Sequence, residues 1–445
     1  MEHLAEPGLI ENSHETVGLI TSILLLLVFS RLLGELMNRL KQSPVVGEIL
    51  AGIILGPAAL GFIQPTLELK GISELSVFLI LLSAGLEMDF REVMKAFIGR
   101  GSILGAVSFL IPLSSGILLG ILFSKTATQT VILALVIAIT ALPVIIRIFS
   151  NFKLLNHPIS QFSIATAMFN DIAALFFLGV VLGLPAAQFS FSELLTSVQH
   201  TGGKLMIFAV VMFVIYYVFQ WAGTQRGLLE KQLTRIIRLF GKESLFGLTI
   251  LFVLIVGSLS EELSSHFVIG VFFGGLLISK DAIGPKLYKN LEETLNSITT
   301  GFLAPIFFAF IGLNFSWSPL QSFWGICFAV ALISVSIGSK ILSSKLAGRW
   351  AKVDPKVALG IGIILNCRGT MDLVVADIAL TRGVIGTDLF STLVLLSVVS
   401  TVLTPILFSR LVSPYLQVVP PPEPKPAPPQ NPPPTPPVFP TPEKG

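Results

Sequence analysis

Residues 136–147, VIAITALPVIIR, decide the fold, because an apolar run long enough to cross a membrane is interrupted in its middle by Pro143. Proline has no backbone N–H, so the carbonyl of Ile139 loses its helical partner and the ring pushes that turn apart. The freed carbonyls and the Thr140 hydroxyl form a set of oxygen donors, which hard cations prefer. An ordinary proline kink, which membrane helices tolerate, is the alternative interpretation.

The composition places this interruption in an integral membrane protein. Of the 445 residues, 53% are hydrophobic and only 12% are charged, whereas charged residues form about a quarter of a soluble domain. The net charge of +3 is small and no basic cluster is interleaved with aromatic residues, which argues against a nucleic-acid partner. Cys327 and Cys367 both fall in apolar segments, so neither a disulfide framework nor a thiolate metal site is expected.

The chain contains thirteen apolar runs that approach the length of a membrane span, which is about 20 residues. Residues 1–16 are acidic and polar, so they form a short tail and the first run is a span rather than a secretory signal. The runs lie near residues 17–37, 45–64, 72–90, 101–123, 128–148, 159–182, 204–222, 244–262, 266–280, 297–315, 322–346, 356–381 and 387–411.

Basic residues predict the orientation of these runs, because cytoplasmic loops collect Lys and Arg. With the N-terminus outside, the outer loops receive only Lys70, Lys125, Lys204 and Arg382, and the more numerous remaining loop cations fall inside. The sequence therefore predicts a multi-pass protein of the cell membrane with an outside N-terminus and a cytoplasmic C-terminus.

Two segments outside the runs have a distinct composition. Residues 226–242, RGLLEKQLTRIIRLFGK, alternate cations with Leu and Ile at helical spacing; they predict an amphipathic helix along the inner interface, either a connector or a lipid-binding regulator. Residues 412–445 are rich in proline and predict a disordered cytoplasmic tail, to which an unknown PxxP-reading partner could bind.

An odd number of spans permits an inverted repeat, in which six helices and one linker helix are followed by six helices of opposite orientation. Repeat one covers about 17–182, the linker about 204–222 and repeat two about 244–411, so the membrane domain spans 17–411. Helix breakers occur in the fifth run of each six. Matched interruptions of this kind point to the substrate site.

The second interruption lies in residues 360–375, GIGIILNCRGTMDLVV. Gly369 loosens the backbone, and Arg368 places a permanent charge in the bilayer. The guanidinium must therefore face a carboxylate or the negative C-terminal end of a half-helix. An internal ion pair with Asp372, about one turn away, is the structural alternative.

Asn170 and Asp171 lie in the run that follows the first interruption, within IATAMFNDIAALFFLGVV at residues 164–181. A carboxylate at this depth is costly unless it is paired or protonated. Asp171 can hold a proton or a metal cation but not readily both, and this mutual exclusion is the minimal chemistry of cation/proton exchange. Lys340 is a candidate charge partner, although a lysine near the end of its run can instead snorkel to the inner interface.

Other ionisable residues within the runs are expected to have structural roles. Glu48 is expected to cap or pair within the helix bundle, and Arg31 and Glu35, one turn apart, are expected to satisfy each other.

Six motifs in this order resemble the second monovalent cation:proton antiporter family, and the resemblance extends from about residue 17 to residue 410. The motifs are QSPVVGEILAGIILGP, LILLSAGLEMDF, ITALPVIIRIFSNFKLLN, FNDIAALFF, GSK and NCRGTMDLV.

The resemblance implies a thirteen-helix fold whose broken fifth and twelfth helices cross near mid-membrane. It also implies a homodimer in which a six-helix core slides against a dimerisation scaffold. Asp171 matches the essential ion- and proton-binding aspartate and Asn170 its neighbour. Thr140 matches the polar residue of the first break, Lys340 the basic residue of the eleventh helix, and Arg368 the arginine of the second break.

The chain departs from the family pattern in three places. Asn170 stands where electrogenic relatives have a second aspartate, so the Asn–Asp pair resembles the electroneutral exchangers. Asp372 stands where the family more often carries glutamate, which leaves its role open between ion ligand and partner of Arg368. No nucleotide-binding domain follows Arg410, unlike in Kef-type potassium efflux systems, so ligand gating of that type is not expected.

The sequence therefore predicts a transporter rather than an enzyme, which moves sodium or potassium out and protons in and needs no resident cofactor. Two alternatives remain at this point: a channel-like potassium efflux pathway without stoichiometric proton coupling, and a receptor or scaffold that has lost transport. The predicted cation site comprises Asp171, Asn170 and Thr140. The broken-helix and charge-compensating residues are Pro143, Arg368, Gly369, Asp372 and Lys340.

Overall fold

The computed structural model describes residues 18–88, 90–91, 100–155, 157–182, 191–224, 228–241, 243–263 and 267–418. Within these ranges the chain forms helices and no β-strand, which confirms the predicted all-α fold. The predicted N-terminal tail lies outside the described residues, as do residues 419–445 of the predicted C-terminal tail.

The helices are numbered in chain order. The first half contains α1 (Leu19–Arg39), α2 (Pro44–Leu55), α3 (Leu67–Glu87), α4 (Arg100–Leu122), α5 (Ala127–Ala138), α6 (Leu142–Asn151), α7 (Pro158–Leu182), α8 (Phe191–Thr224) and α9 (Leu228–Phe240). The second half contains α10 (Glu243–Glu262), α11 (Phe267–Leu277), α12 (Lys280–Ile283), α13 (Pro285–Ile298), a π-helical turn (Thr299–Leu303), α14 (Ala304–Leu313), a 3₁₀ turn (Ser318–Gln321), α15 (Phe323–Ala351), α16 (Pro355–Ile364), α17 (Thr370–Thr381), α18 (Thr387–Leu411) and α19 (Ser413–Val418). Helix α19 lies in the segment predicted to be disordered, so helical structure continues past the predicted boundary.

Nine helical segments in the described part of the chain are long and apolar enough to cross a membrane. Each of the thirteen predicted runs overlaps one of these nine or one of four shorter apolar segments. The shorter segments are Pro44–Leu55, Met206–Trp221, Phe267–Leu277 and Pro355–Ile364. The total of thirteen crossings stays a prediction, because these four are shorter than the roughly 20 residues that span a bilayer.

The first interruption separates two helices rather than kinking one. Helix α5 ends at Ala138, and Ile139 and Ala141 have extended backbone angles before α6 begins. Pro143 occupies the first turn of α6, where a proline is tolerated because no intrahelical donor is required there. The alternative of an ordinary proline kink is therefore wrong.

The second interruption separates α16 from α17, and Gly369 precedes the first residue of α17. A Cβ atom on Gly369 would lie 3.1 Å from the Cβ of Ala141 and 3.3 Å from Cγ2 of Val144. Glycine at this position therefore allows the two interruptions to approach each other closely.

The long helices form two bundles, each of which takes helices from both halves of the chain. One bundle packs α4, α5, α6 and α7 with α15, α16, α17 and α18. The other packs α1, α2 and α3 with α10, α11, the π-helical turn and α14. We call these the crossing bundle and the panel bundle. The crossing bundle corresponds to the six-helix core that the resemblance implies, because α5–α6 and α16–α17 are each one interrupted helix.

Exposed large apolar side chains lie on helices of both bundles and on α8 and α9, as contact with lipid requires. Helix α9 occupies the predicted amphipathic segment and exposes Leu239 and Phe240 near its end. Exposed large apolar side chains recur on other long helices, including Ile20, Leu24, Leu32, Val214, Tyr217, Trp221, Leu251, Ile255 and Val330.

We expect Gly52→Ala to destabilise the panel bundle by about 1–3 kcal/mol, because the added methyl would overlap the backbone carbonyl of Ala309 and force α2 away from α14. The measurement is the melting temperature of the detergent-purified protein. The control is Gly71→Ala on α3, where an added Cβ has nothing within 4 Å and alanine favours the helix. An unchanged melting temperature for Gly52→Ala would contradict this packing.

Candidate functional site

The two interruptions bond directly to each other. The backbone N–H of Ala141 donates to the carbonyl of Cys367 over 2.9 Å, and the Thr140 hydroxyl donates to the carbonyl of Leu365 over 3.1 Å. These groups would lack partners in an isolated broken helix, and an unpaired backbone polar group is costly in lipid. The structure thus brings together the two breaks that the sequence placed far apart, as the resemblance implies.

Two buried cations neutralise the C-terminal end of α5. Nζ of Lys340 donates to the carbonyl of Ala138, and the guanidinium of Arg368 donates to the carbonyls of Val136 and Ile137, the latter over 3.1 Å. Both side chains are at most 1% exposed. The last carbonyls of a helix carry partial negative charge, so Lys340 and Arg368 replace the donors that the broken helix lacks.

Two structural alternatives for these cations are wrong. Lys340 does not snorkel to an interface, because its ammonium group is buried against α5. No Arg368–Asp372 ion pair within 4 Å occurs among the described residues. Asp372 instead accepts a 2.8 Å hydrogen bond from the backbone N–H of Gly369, which satisfies a free donor at the start of α17.

Thr140 is the centre of a saturated hydrogen-bond network. Besides donating to Leu365, its hydroxyl oxygen accepts from Nζ of Lys340 over 2.9 Å and from Nδ2 of Asn170 over 3.4 Å. Two acceptor sites and one proton are all that a hydroxyl offers. The hydroxyl of Ser108 lies 2.9 Å from the carbonyl oxygen of Gly105 and 3.3 Å from Oδ1 of Asn170, so these two acceptors share its one proton. The network therefore holds Asn170, and with it the adjacent turn of α7, at a defined place.

Asp171 has a carboxylate oxygen without a partner, as Asp372 has, but of the two residues only Asp171 borders a cavity. The residue is only 3% exposed, and no described residue makes a hydrogen bond to its Oδ1. The carboxylate is attracted by the charge of Lys340 and repelled by that of Asp372. A buried unpaired carboxylate oxygen is costly, which a proton or a bound cation would relieve.

Asp171 lines a cavity of about 380 Å³ between the two bundles. The cavity reaches from Asp171 past the first turn of α6 to Arg147 on α6 and to Glu87 at the end of α3. Its polar lining residues are Arg31, Ser43, Glu48, Ser83, Glu87, Arg147, Asp171, Thr299, Thr300 and Thr370, and apolar residues such as Pro143 and Phe308 form the rest.

Of the three residues predicted to bind the cation, only Asp171 lines the cavity. Thr140 and Asn170 are fully buried and hydrogen-bonded to each other. In this conformation both residues contact the hydrogen-bond network beside Asp171 and not the cavity. The carbonyls of Val136 and Ile137, which lie in the turn preceding the first interruption, are occupied by Arg368.

Sequence reasoning missed three hydroxyls that complete the site. Ser108 bonds to Asn170, and Ser336 accepts a 2.6 Å hydrogen bond from Arg368. Thr401 donates to the backbone carbonyl of Arg368 over 2.9 Å. Ser336 stands one helical turn before Lys340, a spacing that places both on one helix face, so it could have been found; Ser108 and Thr401 carry no such signal.

The expected pairing of Arg31 with Glu35 is wrong. Arg31 donates to the carbonyl of Thr300 over 2.9 Å and to that of Gly301, which belong to the π-helical turn. Glu35 instead pairs with Arg39 over 3.2 Å. A π-helical turn offsets the normal hydrogen-bond register. The carbonyls of this turn are therefore available to the guanidinium of Arg31 at the cavity wall.

Comparison with known proteins gives one family. Residues 23–413 match the family model described as "Sodium/hydrogen exchanger, transmembrane". The Na(+)/H(+) antiporter NhaS4 of Synechocystis is 27% identical over 417 residues, which cover 87% of this chain and 95% of that protein.

Other relatives are longer than this chain. Cation/H(+) antiporter 19 of Arabidopsis thaliana is 28% identical over 406 residues, and K(+)/H(+) antiporter 1 of Saccharomyces cerevisiae is 27% identical over 419 residues. Each match covers 87% of this chain but only 48% and 46% of the respective relative. The chain thus spans about half the length of these two proteins.

The fold is similar to that of a solved antiporter. The structure of the sodium proton antiporter MjNhaP1 from Methanocaldococcus jannaschii at pH 8 superposes with a TM-score of 0.66 and 19% sequence identity. The match covers 89% of this chain and 98% of that one. At 19% sequence identity, this comparison shows that the two proteins share a fold.

We expect Thr140→Val to destabilise the protein by about 1–3 kcal/mol, because Lys340 and Asn170 lose an acceptor and the Leu365 carbonyl loses a donor inside the bundle. The melting temperature in detergent measures the effect. Thr140→Ser keeps the hydroxyl and is the control. Equal melting temperatures for the Val and Ser variants would show that the network contributes no stability.

Proposed function

Because the chain belongs to the sodium/hydrogen exchanger family, we propose that it exchanges a monovalent cation, sodium or potassium, for a proton, with Asp171 as the shared binding site. The observation that carries the proposal is the unpartnered Oδ1 of Asp171 at a cavity between two helix bundles. The names of its relatives include both sodium and potassium, and we leave the choice between the two ions to the experiment.

Exchange follows from competition at one carboxylate. When Asp171 is protonated, its charge is neutral and a metal cation has no anionic ligand. When a cation binds, its field disfavours protonation of the same carboxylate. The network of Thr140, Asn170 and Ser108 holds the turn of α7 that carries Asp171 in place. The proton and the metal cation therefore bind the carboxylate at the same position.

The charges of the site favour a one-for-one exchange. Asn170 cannot ionise, and the ammonium group of Lys340 is held by the carbonyl of Ala138 and by Thr140 rather than by Asp171. Asp171 therefore binds either a proton or a metal cation, while the hydrogen bonds of Asn170 and Lys340 stay the same. One positive charge crosses the membrane in each direction. The exchange is then electroneutral.

The two bundles suggest how the site changes sides. Asp171 belongs to the crossing bundle, and the cavity lies between it and the panel bundle. Movement of one bundle against the other would close this cavity and open another path to Asp171. In the predicted topology the ends of α3 and α6 are cytoplasmic, so the cavity faces inward, and the cycle moves the metal cation out and the proton in.

The location and assembly of the protein follow from the same proposal. The apolar surface of the helices fits a protein of the cell membrane surrounded by lipid. We propose a homodimer, as the resemblance implies, with the panel bundle as its scaffold.

We expect Asp171→Asn to reduce cation-driven proton flux to the level of protein-free vesicles, because the amide holds neither the cation nor the exchangeable proton. Proteoliposomes with an imposed pH gradient receive sodium or potassium chloride, and a pH dye reports collapse of the gradient. Size-exclusion chromatography and the melting temperature show that the variant is folded.

The outcomes separate the candidate functions. Collapse of the gradient by wild type alone supports exchange, and the active salt identifies the cation. Cation flux that neither drives proton flux nor responds to the pH gradient would instead indicate a channel-like pathway. A folded wild type that moves neither ion would contradict transport of these ions.

We expect acidification on the cation-binding side to raise the KM for the cation without lowering the rate at saturating cation. Only the deprotonated fraction of Asp171 binds the cation, so the KM rises about tenfold per pH unit once the protonated form dominates. Initial rates over a range of cation concentrations at several pH values measure the effect. A fall in the maximal rate at constant KM would contradict a shared site.

A further inference from the structure

The cavity contains a second buried carboxylate that the exchange reaction described above does not use. Glu48 lies on α2 in the panel bundle and lines the same cavity as Asp171, which lies on α7 in the crossing bundle. The sequence favours a structural role for Glu48, with a cap or a pair inside the bundle. The structure shows neither.

Glu48 is unpartnered although it is only 8% exposed. No ion pair within 4 Å involves it among the described residues, and none of their side-chain or backbone donors bonds to its carboxylate. Carboxylates buried to this degree are normally paired. Its carboxylate therefore lies at the cavity, where water or a bound cation can reach it.

The two nearby cations are occupied elsewhere. Arg31 and Arg147 both attract the Glu48 carboxylate over a distance, but Arg31 donates to the π-helical turn and Arg147 donates to Oδ1 of Asn38 on α1. Each guanidinium thus lowers the cost of the buried charge without satisfying its oxygens.

A second unpartnered oxygen from the panel bundle lines the same cavity. Thr299, the first residue of the π-helical turn, is 3% exposed and lines the cavity, and no described residue bonds to its hydroxyl oxygen. A carboxylate and a hydroxyl are hard oxygen ligands of the type that bind sodium and potassium. These two groups come from the panel bundle, whereas Asp171 comes from the crossing bundle.

We propose that Glu48, with Thr299, forms a second monovalent-cation site on the panel wall of the cavity, from which the ion passes to Asp171. This inference rests on the proposed function, since Glu48 and Thr299 would bind the cation before it reaches Asp171 on the same transport path. A carboxylate that remains on one bundle while Asp171 moves with the other would concentrate the cation when the cavity is open. It would not carry the ion across.

Cation binding to the purified full-length protein tests the site without transport. The melting temperature is recorded in detergent during titration with sodium chloride or potassium chloride, with choline chloride keeping the ionic strength constant. We expect Glu48→Gln to raise the half-saturating concentration about three- to tenfold, because charge in a low-dielectric cleft raises the local cation concentration by at least this factor. Glu48→Asp, which keeps the charge, restores most of the affinity.

A matched control removes a carboxylate outside the cavity. Glu293 on α13 is exposed, pairs with Lys289 over 3.7 Å and does not line the cavity. Glu293→Gln changes the net charge of the protein as Glu48→Gln does, and it should leave the half-saturating concentration unchanged. Thr299→Val should raise that concentration about two- to threefold, with Thr299→Ser as its control, and it carries the test if Glu48→Gln does not fold.

The outcomes keep the two proposals apart. A half-saturating concentration within twofold of wild type for Glu48→Gln, or a wild type whose melting temperature does not respond to either salt, overturns the Glu48 site. A wild type that binds the cation in a Glu48-dependent way but exchanges no proton supports the Glu48 site and overturns the exchange reaction.

Discussion

The architecture depends on the neutralisation of one helix end inside the membrane. Helix α5 stops at Ala138 with no helical donors for its last carbonyls, and a protein buried in lipid has no water to replace them. Lys340 and Arg368 supply those donors from α15 and from the second interruption. The crossing bundle therefore assembles around this helix end, and removing either cation would leave unpaired carbonyls at its centre.

This arrangement also explains how the site can hold the side chains of Lys340 and Arg368 and still attract a metal cation. Lys340 and Arg368 direct their donors at backbone carbonyls, and Asp372 directs an oxygen at the backbone of Gly369. These three charged side chains thus form hydrogen bonds to the backbone of the interrupted helices. Oδ1 of Asp171 and Oδ2 of Asp372 both lack a donor among the described residues, but of these two residues only Asp171 lines the cavity. Reversible ion binding requires an anionic group of this kind, which has a free oxygen and is held in place by the surrounding helices.

The cavity lies at the boundary between the two bundles, and each bundle contributes polar residues to its lining. The panel bundle contributes Glu48 and Thr299, and the crossing bundle contributes Asp171 and the first turn of α6. Close helix contacts, such as that of Gly52 with Ala309, hold the panel together. Contacts across the cavity are fewer, so relative movement of the bundles can change access to Asp171 while each bundle keeps its internal packing.

The sequence alone determined the membrane class, the positions of the apolar runs, both interruptions and the charged residues that lie within the runs. Each of these follows from local chemistry: hydrophobic length, a proline without an N–H, and charges that lipid does not tolerate. The partners of those charges depended on contacts between residues more than 200 positions apart. Arg368 thus meets the end of α5 rather than Asp372, Lys340 is buried rather than snorkelled, and Arg31 meets the π-helical turn rather than Glu35. Only the tertiary structure could decide these pairings, because Asp372 and Glu35 look equally available in the sequence and it is the packing of the helices that brings competing carbonyls within reach.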